Sequence, residues 1–301
     1  MKGFTILITT RNRLEDLKYT LQLNEAALNG SDVKYIIYDD GSNDGTYEFI
    51  ASNYSKIKLL RNETSRGLIY CRNRMMNLVK TEYAISIDDD LHFITNNPIH
   101  NIKAYFEAHS NCAIVSFRIF WSKEAPASTH SDETAFRTKS YAGGAHAFRM
   151  SAWKSIPGYP DWFIFYGEED YASYHLFKKD WEIHYLPKVL VHHRVDLKAR
   201  KYKKDYRLRT RRALRSGWFL YLLFYPLGLV PKKILYSLWM QFKTKVFKGD
   251  FKAFIAILQA LGDLILNVPR LIKESDRLSK EQFLKYSKLP ATKLYWKPKD
   301  L

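Results

Sequence analysis

The sequence predicts an α/β fold, with a mainly parallel sheet flanked by helices and a helical, amphipathic C-terminal region. Strand-length apolar runs alternate with helix-length segments in the first part of the chain. Acidic and polar clusters follow these runs, at the sheet edge where parallel sheets bind ligands. The net charge changes abruptly, from −1 over residues 1–196 to +18 over residues 197–301. We therefore expect a neutral α/β domain (1–196) and a basic helical region (197–301).

The alternating elements can be followed along the chain. Strands are predicted at FTILITT, VKYIIYDD, KIKLL and YAISIDDD. Helices are predicted over Leu14–Ala27, from about Asp44, and over Leu68–Val79, which makes successive βαβ units. Residues 142–194 are richer in glycine, aromatic and charged residues, and are interpreted as a loop-built region for a substrate.

The cysteines and the N-terminus indicate the compartment. Cys71 and Cys112 lie in helical or apolar contexts, which argues against a disulfide framework and a cysteine metal site. The first residues, MKGFTILITT, enter a strand directly and do not have the pattern of a cleavable signal peptide. We expect a protein of a reducing compartment.

The region from Leu197 onward is expected to lie on an anionic membrane, peripherally and on its cytoplasmic face. KARKYKKDYRLRTRRALR is densely cationic, and the apolar stretch after it is shorter than the ~20 residues of a membrane-spanning helix. Two following segments have an apolar helical face flanked by Lys and Arg, typical of helices in a membrane interface. Interfacial and re-entrant arrangements both fit, with Trp218, Trp239 and Phe254 as apolar contacts. A nucleic-acid-binding protein is the alternative, but it explains neither the acidic clusters nor the apolar faces, so no nucleic acid is expected.

Asp88, Asp89 and Asp90 stand directly after a predicted buried strand. An acidic, solvated loop is the simplest interpretation of one such carboxylate, but three adjacent ones repel each other strongly. Divalent cations such as Mg²⁺ and Mn²⁺ take carboxylate oxygen ligands and would offset this repulsion. The sequence therefore indicates a metal site.

Two further clusters carry candidate chemistry. YDDGSNDGT could be only a turn, but with ITTRNR and RNETSRGLIYCRN it places Thr, Asp and Arg groups at one sheet edge, where they could bind a base, a ribose or a phosphate. FYGEEDYASYHLF could hold helix-capping carboxylates or a general base whose pKa is raised by aromatic neighbours. His192 and His193 close a strand-like run, and either could be a ligand.

Together these segments resemble the family 2 glycosyltransferases of GT-A fold, a Rossmann-like architecture. The resemblance rests on the order and spacing of FTILITTRNR, YIIYDDGSNDGT, SRGLIYCRN, YAISIDDD, GGAHAFR, IPGYPDWFIFYGEED and LVHHR, from about Phe4 to Arg194. It implies a nucleotide-sugar donor, a divalent metal (Mn²⁺ or Mg²⁺) held by a D-x-D motif, and transfer with inversion of the anomeric carbon. The implied acceptor is a hydroxyl of a lipid-linked or cell-surface glycan, as in polysaccharide or lipopolysaccharide synthesis.

The resemblance also implies roles for individual residues. Thr9 and Asp39 would contact the base, with Asp40 near the ribose, Arg72 facing the donor and Asp89 by the ribose or metal. Asp88 and Asp90 match the D-x-D motif, and His192 or His193 matches a histidine that contacts metal or diphosphate. Asp170 matches the catalytic base, with Glu169 as the alternative. Arg11 stands where the family has a tyrosine, so that stacking on the base would use a guanidinium, and Ala172 stands where the family often has an acid. A non-catalytic membrane protein on this fold is a further alternative.

Overall fold

The computed structural model describes residues 3–28, 33–196 and 204–298. Its strands are β1 (Phe4–Thr10), β2 (Val33–Asp39), β3 (Lys58–Arg61), β4 (Tyr83–Asp88), β5 (Leu91–Phe93), β6 (Cys112–Trp121), β7 (Phe136–Thr138), β8 (Ala145–Arg149) and β9 (Glu182–His193). Its helices are α1 (Leu14–Ala27), α2 (Thr46–Asn53), α3 (Leu68–Leu78), α4 (Pro98–Ala108), α5 (Met150–Lys154), α6 (Glu168–Lys178), α7 (Tyr206–Phe224), α8 (Val230–Thr244), α9 (Phe251–Lys273) and α10 (Lys280–Ser287).

One mixed sheet runs through the molecule in the order β3-β2-β1-β4-β8-β6-β9-β5, and β7 also pairs with β9. Strands β3, β2, β1 and β4 are parallel, because a helix connects each strand to the next. Strand β8 is antiparallel to both β4 and β6, whereas β6 and β9 are parallel. The α/β fold is confirmed, and its parallel part is the part whose βαβ pattern is visible in the sequence.

Helices cover both faces of the sheet. On one face α1, α2 and α4 bury Leu17, Ile50 and Phe106 in a single apolar cluster. On the other face α3, α5 and α6 form a second cluster, which also contains residues of α7, α9 and α10. The carboxyl ends of β1, β2 and β4 are left at one edge, where the loops that follow them meet.

The basic C-terminal region is helical, as predicted, but it is not an appendage. Phe219 and Phe224 of α7 are buried in the same cluster as Phe163 and Tyr171 of the preceding part. The Arg215 guanidinium donates a hydrogen bond to the Phe163 carbonyl. The division at residue 196 therefore marks a change in charge, and the core is continuous across it.

Trp218 is wrongly assigned to the membrane by the sequence. Its ring is 1% exposed, and its indole nitrogen donates to Ser237 Oγ at 3.1 Å. The apolar run that suggested an interfacial or re-entrant segment is, as far as Phe224, the buried part of α7, because a core helix and an interfacial helix are alike in composition. Beyond α7 the same run exposes Leu227 and Leu229. Residues 197–203, which hold the first part of the cationic run, lie outside the described residues.

A continuous core predicts one cooperative unfolding transition for both parts of the chain. Phe219→Ala should lower the free energy of unfolding by about 3–5 kcal/mol, because it removes a buried ring that contacts Trp162 and Phe163. Leu235→Ala, at a side chain 66% exposed, is the matched control and should change stability by less than about 0.5 kcal/mol. Urea unfolding followed by tryptophan fluorescence and by circular dichroism would contradict this if it showed two separate transitions, with only one of them shifted in Phe219→Ala.

Candidate functional site

The three consecutive aspartates lie at the end of β4 and in the turn that follows. Asp89 and Asp90 are buried, and the Asp88 side chain is 30% exposed to the crevice. Burial by itself disfavours a charged carboxylate. It raises the pKa of Asp89 to about 7, against the attraction of Arg13. The repulsion between the three groups therefore needs compensation from elsewhere in the chain.

Two arginines supply most of this compensation. Arg13, in the loop between β1 and α1, donates to Asp90 Oδ2 at 2.7 Å and lies 3.3 Å from Asp89 Oδ1. Arg72, buried on α3, donates to Asp88 Oδ1 at 3.1 Å and through its other terminal nitrogen to Glu168 Oε1 at 2.9 Å. Each guanidinium thus joins the aspartate turn to a different part of the sequence.

His193 also faces the aspartates, and His192 does not. The His193 Nε2 atom lies 2.9 Å from Asp90 Oδ1 and 3.8 Å from Asp88 Oδ2. The His192 Nε2 atom is instead hydrogen-bonded to the Ser122 carbonyl at 2.9 Å. Successive side chains of a strand point to opposite faces, so only one of the two can reach the site. The sequence-based choice of His192 as a metal-ligand candidate is therefore wrong, and His193 is the candidate.

Asp88, Asp90 and His193 form a group that fits a divalent cation. One ligand atom from each residue lies within 4.8 Å of the others. The two carboxylate oxygens of Asp90 have different partners. Oδ2 accepts a hydrogen bond from Arg13, whereas Oδ1 faces His193 and the metal-ligand group. Burial alone would raise the pKa of Asp90, but His193 and Arg13 together hold it well below its usual value. Asp90 is therefore ionised and ready to act as a ligand.

The ends of β1 and β2 offer two polar atoms that accept no hydrogen bond from a described residue, although Asp39 Oδ2 lies 3.7 Å from Arg61 Nε. Thr9 Oγ1 and Asp39 Oδ2 are buried, and neither has a hydrogen-bond partner among the described residues. The other oxygen of Asp39 accepts from the Ser42 backbone nitrogen at 2.9 Å, which fixes the carboxylate. Unsatisfied buried atoms are costly, so these two are well placed for a bound ligand. Arg11 is exposed at the rim of the same crevice.

Asp40 is fully engaged by the protein. It accepts four hydrogen bonds from the segment that leads into α3, from Asn62 Nδ2, Ser65 Oγ and the backbone nitrogens of Arg66 and Gly67, at 2.6–2.9 Å. These bonds outweigh burial and lower the pKa of Asp40. Its geometry is that of an anchor for the loop before α3, in contrast to the ribose contact expected from the sequence.

The three acids at the start of α6 point in different directions, since successive residues of a helix are rotated by about 100°. Glu168 is buried against Arg72. The Glu169 carboxylate lies against Gly143, so closely that a Cβ atom there would come within 2.1 Å of its Oε1. Burial, followed by the charge of Glu168, raises the pKa of Glu169 well above its usual value. Asp170 instead faces Lys139, Tyr174 and the helices of the basic region.

This rotation brings Glu169, and not Asp170, to the crevice. Gly143 and Gly144 are consecutive, and the second approaches Asp88, since a Cβ atom on Gly144 would lie 2.9 Å from Asp88 Oδ2. The glycine pair therefore brings Glu169 and the metal-ligand group to one short segment before β8. A general base must lie in the crevice, so this geometry favours Glu169, the alternative candidate, over Asp170, which faces away from it.

The sequence did not single out two residues that complete the site. Arg13 lies in the quoted segment ITTRNR, and Glu168 precedes the two acids considered as bases. The available signal was the run of three aspartates itself, because buried carboxylates require nearby cationic side chains. The spacing of 77 residues between Arg13 and Asp90 made the pairing impossible to assign before the fold was known.

One protein-family model, "Glycosyl transferase family 2", matches residues 5–165, which is more than half of the chain. No curated protein sequence matches the chain significantly. The match includes β1 to β4, both arginines and all three aspartates.

Several solved structures share the fold. The structure of GalNAc-T7 with UDP, GalNAc and Mn²⁺ has a TM-score of 0.61 at 15% identity, over 74% of this chain and 48% of that one. The mannosyltransferase PcManGT from Pyrobaculum calidifontis, with GDP-Man and Mn²⁺, has a TM-score of 0.55 at 15% identity, over 95% and 79%. S. aureus TarS with UDP-GlcNAc has a TM-score of 0.58 at 16% identity, over 91% and 84%. The chain thus spans about half the length of the GalNAc-T7 structure and most of the other two.

The geometry predicts that Asp90 and His193 hold Mn²⁺ and that His192 does not. Asp90→Ala and His193→Gln each remove a ligand, so each should weaken Mn²⁺ binding by more than the roughly 10–100-fold cost of changes outside a ligand set. His192→Gln is the matched control and should bind as the unaltered chain does. Titration of Mn²⁺ followed by electron paramagnetic resonance of the free ion measures this. Equal losses in both histidine variants would contradict the assignment.

Proposed function

Because the chain belongs to glycosyl transferase family 2, we propose that it is an inverting, metal-dependent glycosyltransferase. It moves a sugar from a nucleotide-sugar donor to a hydroxyl group of a lipid-linked or cell-surface glycan. The observation that carries the proposal is the arrangement around the glycine pair: Asp88, Asp90 and His193 form a metal-ligand group, and the Glu169 carboxylate lies against the neighbouring glycine.

The donor would lie across the carboxyl ends of β1, β2 and β4. Thr9 Oγ1 and Asp39 Oδ2 have the unsatisfied hydrogen-bonding capacity to bind its base. Similar structures hold UDP, UDP-GlcNAc or GDP-Man, which supports a nucleotide-sugar donor without choosing the nucleotide. Arg72 is bonded to Asp88 and Glu168, so its role is to position these carboxylates beside the donor.

Mn²⁺ suits the ligand group better than Mg²⁺ does. Mg²⁺ prefers oxygen ligands and water, whereas His193 adds an imidazole nitrogen to the two carboxylates. When bound, such a cation supplies Lewis-acid stabilisation of the charge on the departing diphosphate. Asp88, Asp90 and His193 would hold it, with Arg13 fixing the second oxygen of Asp90.

The proposed reaction is a single displacement. Glu169 accepts the proton of the acceptor hydroxyl as that oxygen forms a bond to the anomeric carbon, while the bond from the anomeric carbon to the diphosphate oxygen breaks. Attack from the face opposite the leaving group inverts the anomeric configuration. The burial of Glu169 raises its affinity for the proton that it must take.

The C-terminal helices support a peripheral position on the cytoplasmic face of an anionic membrane. By length and composition α9 is the one described helix that could cross a membrane. However, its Asp263 pairs with Arg211 of α7 at 2.5 Å, and its inner face packs on α7, so we propose that it lies in the interface. The outward apolar side chains of α8, α9 and the turn between them are Leu235, Tyr236, Trp239, Phe247, Phe251, Leu258, Ile265, Leu266, Val268 and Ile272. Exposed lysines flank them at 232, 233, 243, 248 and 252.

A nucleic-acid partner is disfavoured by the same region. Three arginines of the cationic run are bonded to the protein itself, since Arg209 pairs with Asp205, and Arg211 and Arg215 pair with Asp263. A non-catalytic membrane protein would have no use for the raised pKa of Glu169 or for the Asp39 oxygen that accepts no hydrogen bond.

The proposed base can be tested by donor hydrolysis, in which water replaces the acceptor. The donor is first identified as the nucleotide sugar that raises the melting temperature in the presence of Mn²⁺. Glu169→Gln should then lower the hydrolysis rate by roughly 10²–10⁴-fold, because the general base is lost, while donor binding persists. Asp170→Asn should lose less than about 10-fold. The reverse order of the two variants would return the role to Asp170, and the absence of any stabilising nucleotide sugar would overturn the function.

Two forces should hold the protein on anionic vesicles. Each Lys near the surface contributes about 1 kcal/mol, which salt screens, and the apolar side chains contribute burial that salt does not weaken. The double variant Trp239→Ser, Leu266→Ser should therefore leave vesicles in high salt, where the unaltered chain is partly retained. Tyr19→Ser with Leu294→Ser, at side chains 50% and 51% exposed elsewhere, is the control. Flotation that shows equal binding of both double variants at high salt would refute the membrane surface.

A further inference from the structure

A cavity of about 460 Å³ lies between the α/β part and the C-terminal helices. It is called the tyrosine cavity here, because Tyr174, Tyr221, Tyr225 and Tyr286 line it. The remaining lining residues are Lys139, Asp170, Gly217, Leu220, Lys233, Phe283 and Ser287. Its walls thus come from α6, α7, α8 and α10 and from the segment before the glycine pair.

Asp170 is the one carboxylate in this wall. Its side chain is exposed to the cavity. The protein packed around it raises its pKa, while a hydrogen bond from Ser140 and the charge of Lys139 oppose this effect. Burial raises the pKa of all four tyrosines, and the negative charge of Asp170 adds to this for each of them. No described Lys, Arg or His lies within ion-pair distance of Asp170. Beyond the bond from Ser140, its oxygens therefore have acceptor capacity left for a ligand.

The lining has the chemistry of a site for a neutral sugar. Phenol rings offer apolar faces and hydroxyl edges, the carboxylate accepts hydrogen bonds, and Lys139 and Lys233 donate them. A sugar ring combines apolar C–H faces with hydroxyl groups on its edge, and so matches both. A phosphate matches the lysines but meets a carboxylate among the phenols, where like charges repel. The volume is in the range of small-ligand sites.

The cavity is next to the reaction centre without being part of it. Asp170 directly follows Glu169, so their Cα atoms are about 3.8 Å apart, but the helix turns the two side chains about 100° from each other. Glu169 lies against Gly143, and Lys139 of the cavity is only four residues before that glycine. A glycan with its reacting hydroxyl at Glu169 could therefore extend into the tyrosine cavity.

We infer that the tyrosine cavity binds a non-reacting sugar unit of the acceptor glycan and so selects the acceptor. This inference rests on the proposed function. It places recognition on residues of α7, α8 and α10 as well as on the α/β part. It also gives Asp170 a binding role, in which it accepts hydrogen bonds from sugar hydroxyls.

Gly217 provides a way to fill the cavity without unfolding the chain. It lies within α7, and a Cβ atom on it would meet nothing within 4 Å. A side chain in a helix interior is favoured over glycine, so Gly217→Leu should fold and occupy the cavity. Gly262→Leu, at a helical glycine of α9 that also faces open space, is the matched control.

The experiment is saturation-transfer NMR of the full chain with methyl glycosides of common hexoses and N-acetylhexosamines and with their disaccharides. At least one glycoside should bind, its binding should be weakened by about 10-fold or more in Gly217→Leu and in Asp170→Asn, and it should persist in Gly262→Leu. Mn²⁺-dependent stabilisation by the donor should be the same in all four proteins, so a loss of sugar binding is separable from a failure of the proposed transferase function. Absence of binding by every glycoside, persistence of binding in Gly217→Leu, or displacement of the glycoside by inorganic phosphate would each overturn the inference.

Discussion

Charge compensation of three adjacent aspartates is the constraint on which the rest of the site depends. Asp88, Asp89 and Asp90 come from one turn, but the groups that neutralise them come from the β1–α1 loop, α3 and β9. An uncompensated buried carboxylate is too costly to persist, so these elements must meet for the turn to be stable. The order of strands in the sheet and the position of the site are therefore linked by the same contacts. A metal ion would add to a balance that the protein already maintains.

Much of the fold could be predicted because its signals are local. The strands β1, β2 and β4 and the helix α1 follow from apolar periodicity over a few residues. The three adjacent aspartates could be singled out for the same reason, since they stand together directly after β4. The choice between His192 and His193 could not, because it depends on how β9 pairs with β6, where the register shifts twice. The choice between Glu169 and Asp170 could not be predicted either, because it depends on where α6 begins and how it is rotated against the glycine pair.

The C-terminal region shows a different limit of sequence analysis. Its charge and apolar periodicity predicted helices and an anionic surface, and both α8 and α9 do carry exposed apolar side chains beside lysines. Composition alone does not distinguish an apolar face that meets lipid from one that meets protein. For α7 the ion pairs of Arg211 and Arg215 with Asp263 show that it contacts protein, since they bind part of the cationic run to α9. The apolar face that stays exposed belongs to α8 and α9, and it is smaller than the membrane surface predicted from the sequence for the whole region from Leu197.

The unequal distribution of bonds in the crevice bears on how its specificity could be altered by design. Arg72 joins Asp88 on one side to Glu168 on the other, so a substitution at any of the three disturbs β4, α3 and α6 together. Thr9 Oγ1 has no hydrogen-bond partner among the described residues, so a change there breaks no side-chain bond. Asp39 is held by the Ser42 backbone nitrogen and by Arg61. Residues on the β1 and β2 side of the crevice can thus be changed with few effects on other side chains, whereas those bonded to Arg72 cannot. A new nucleotide preference is accessible through a single substitution at Thr9, at the end of β1, whereas the aspartate turn could be redesigned only as a unit.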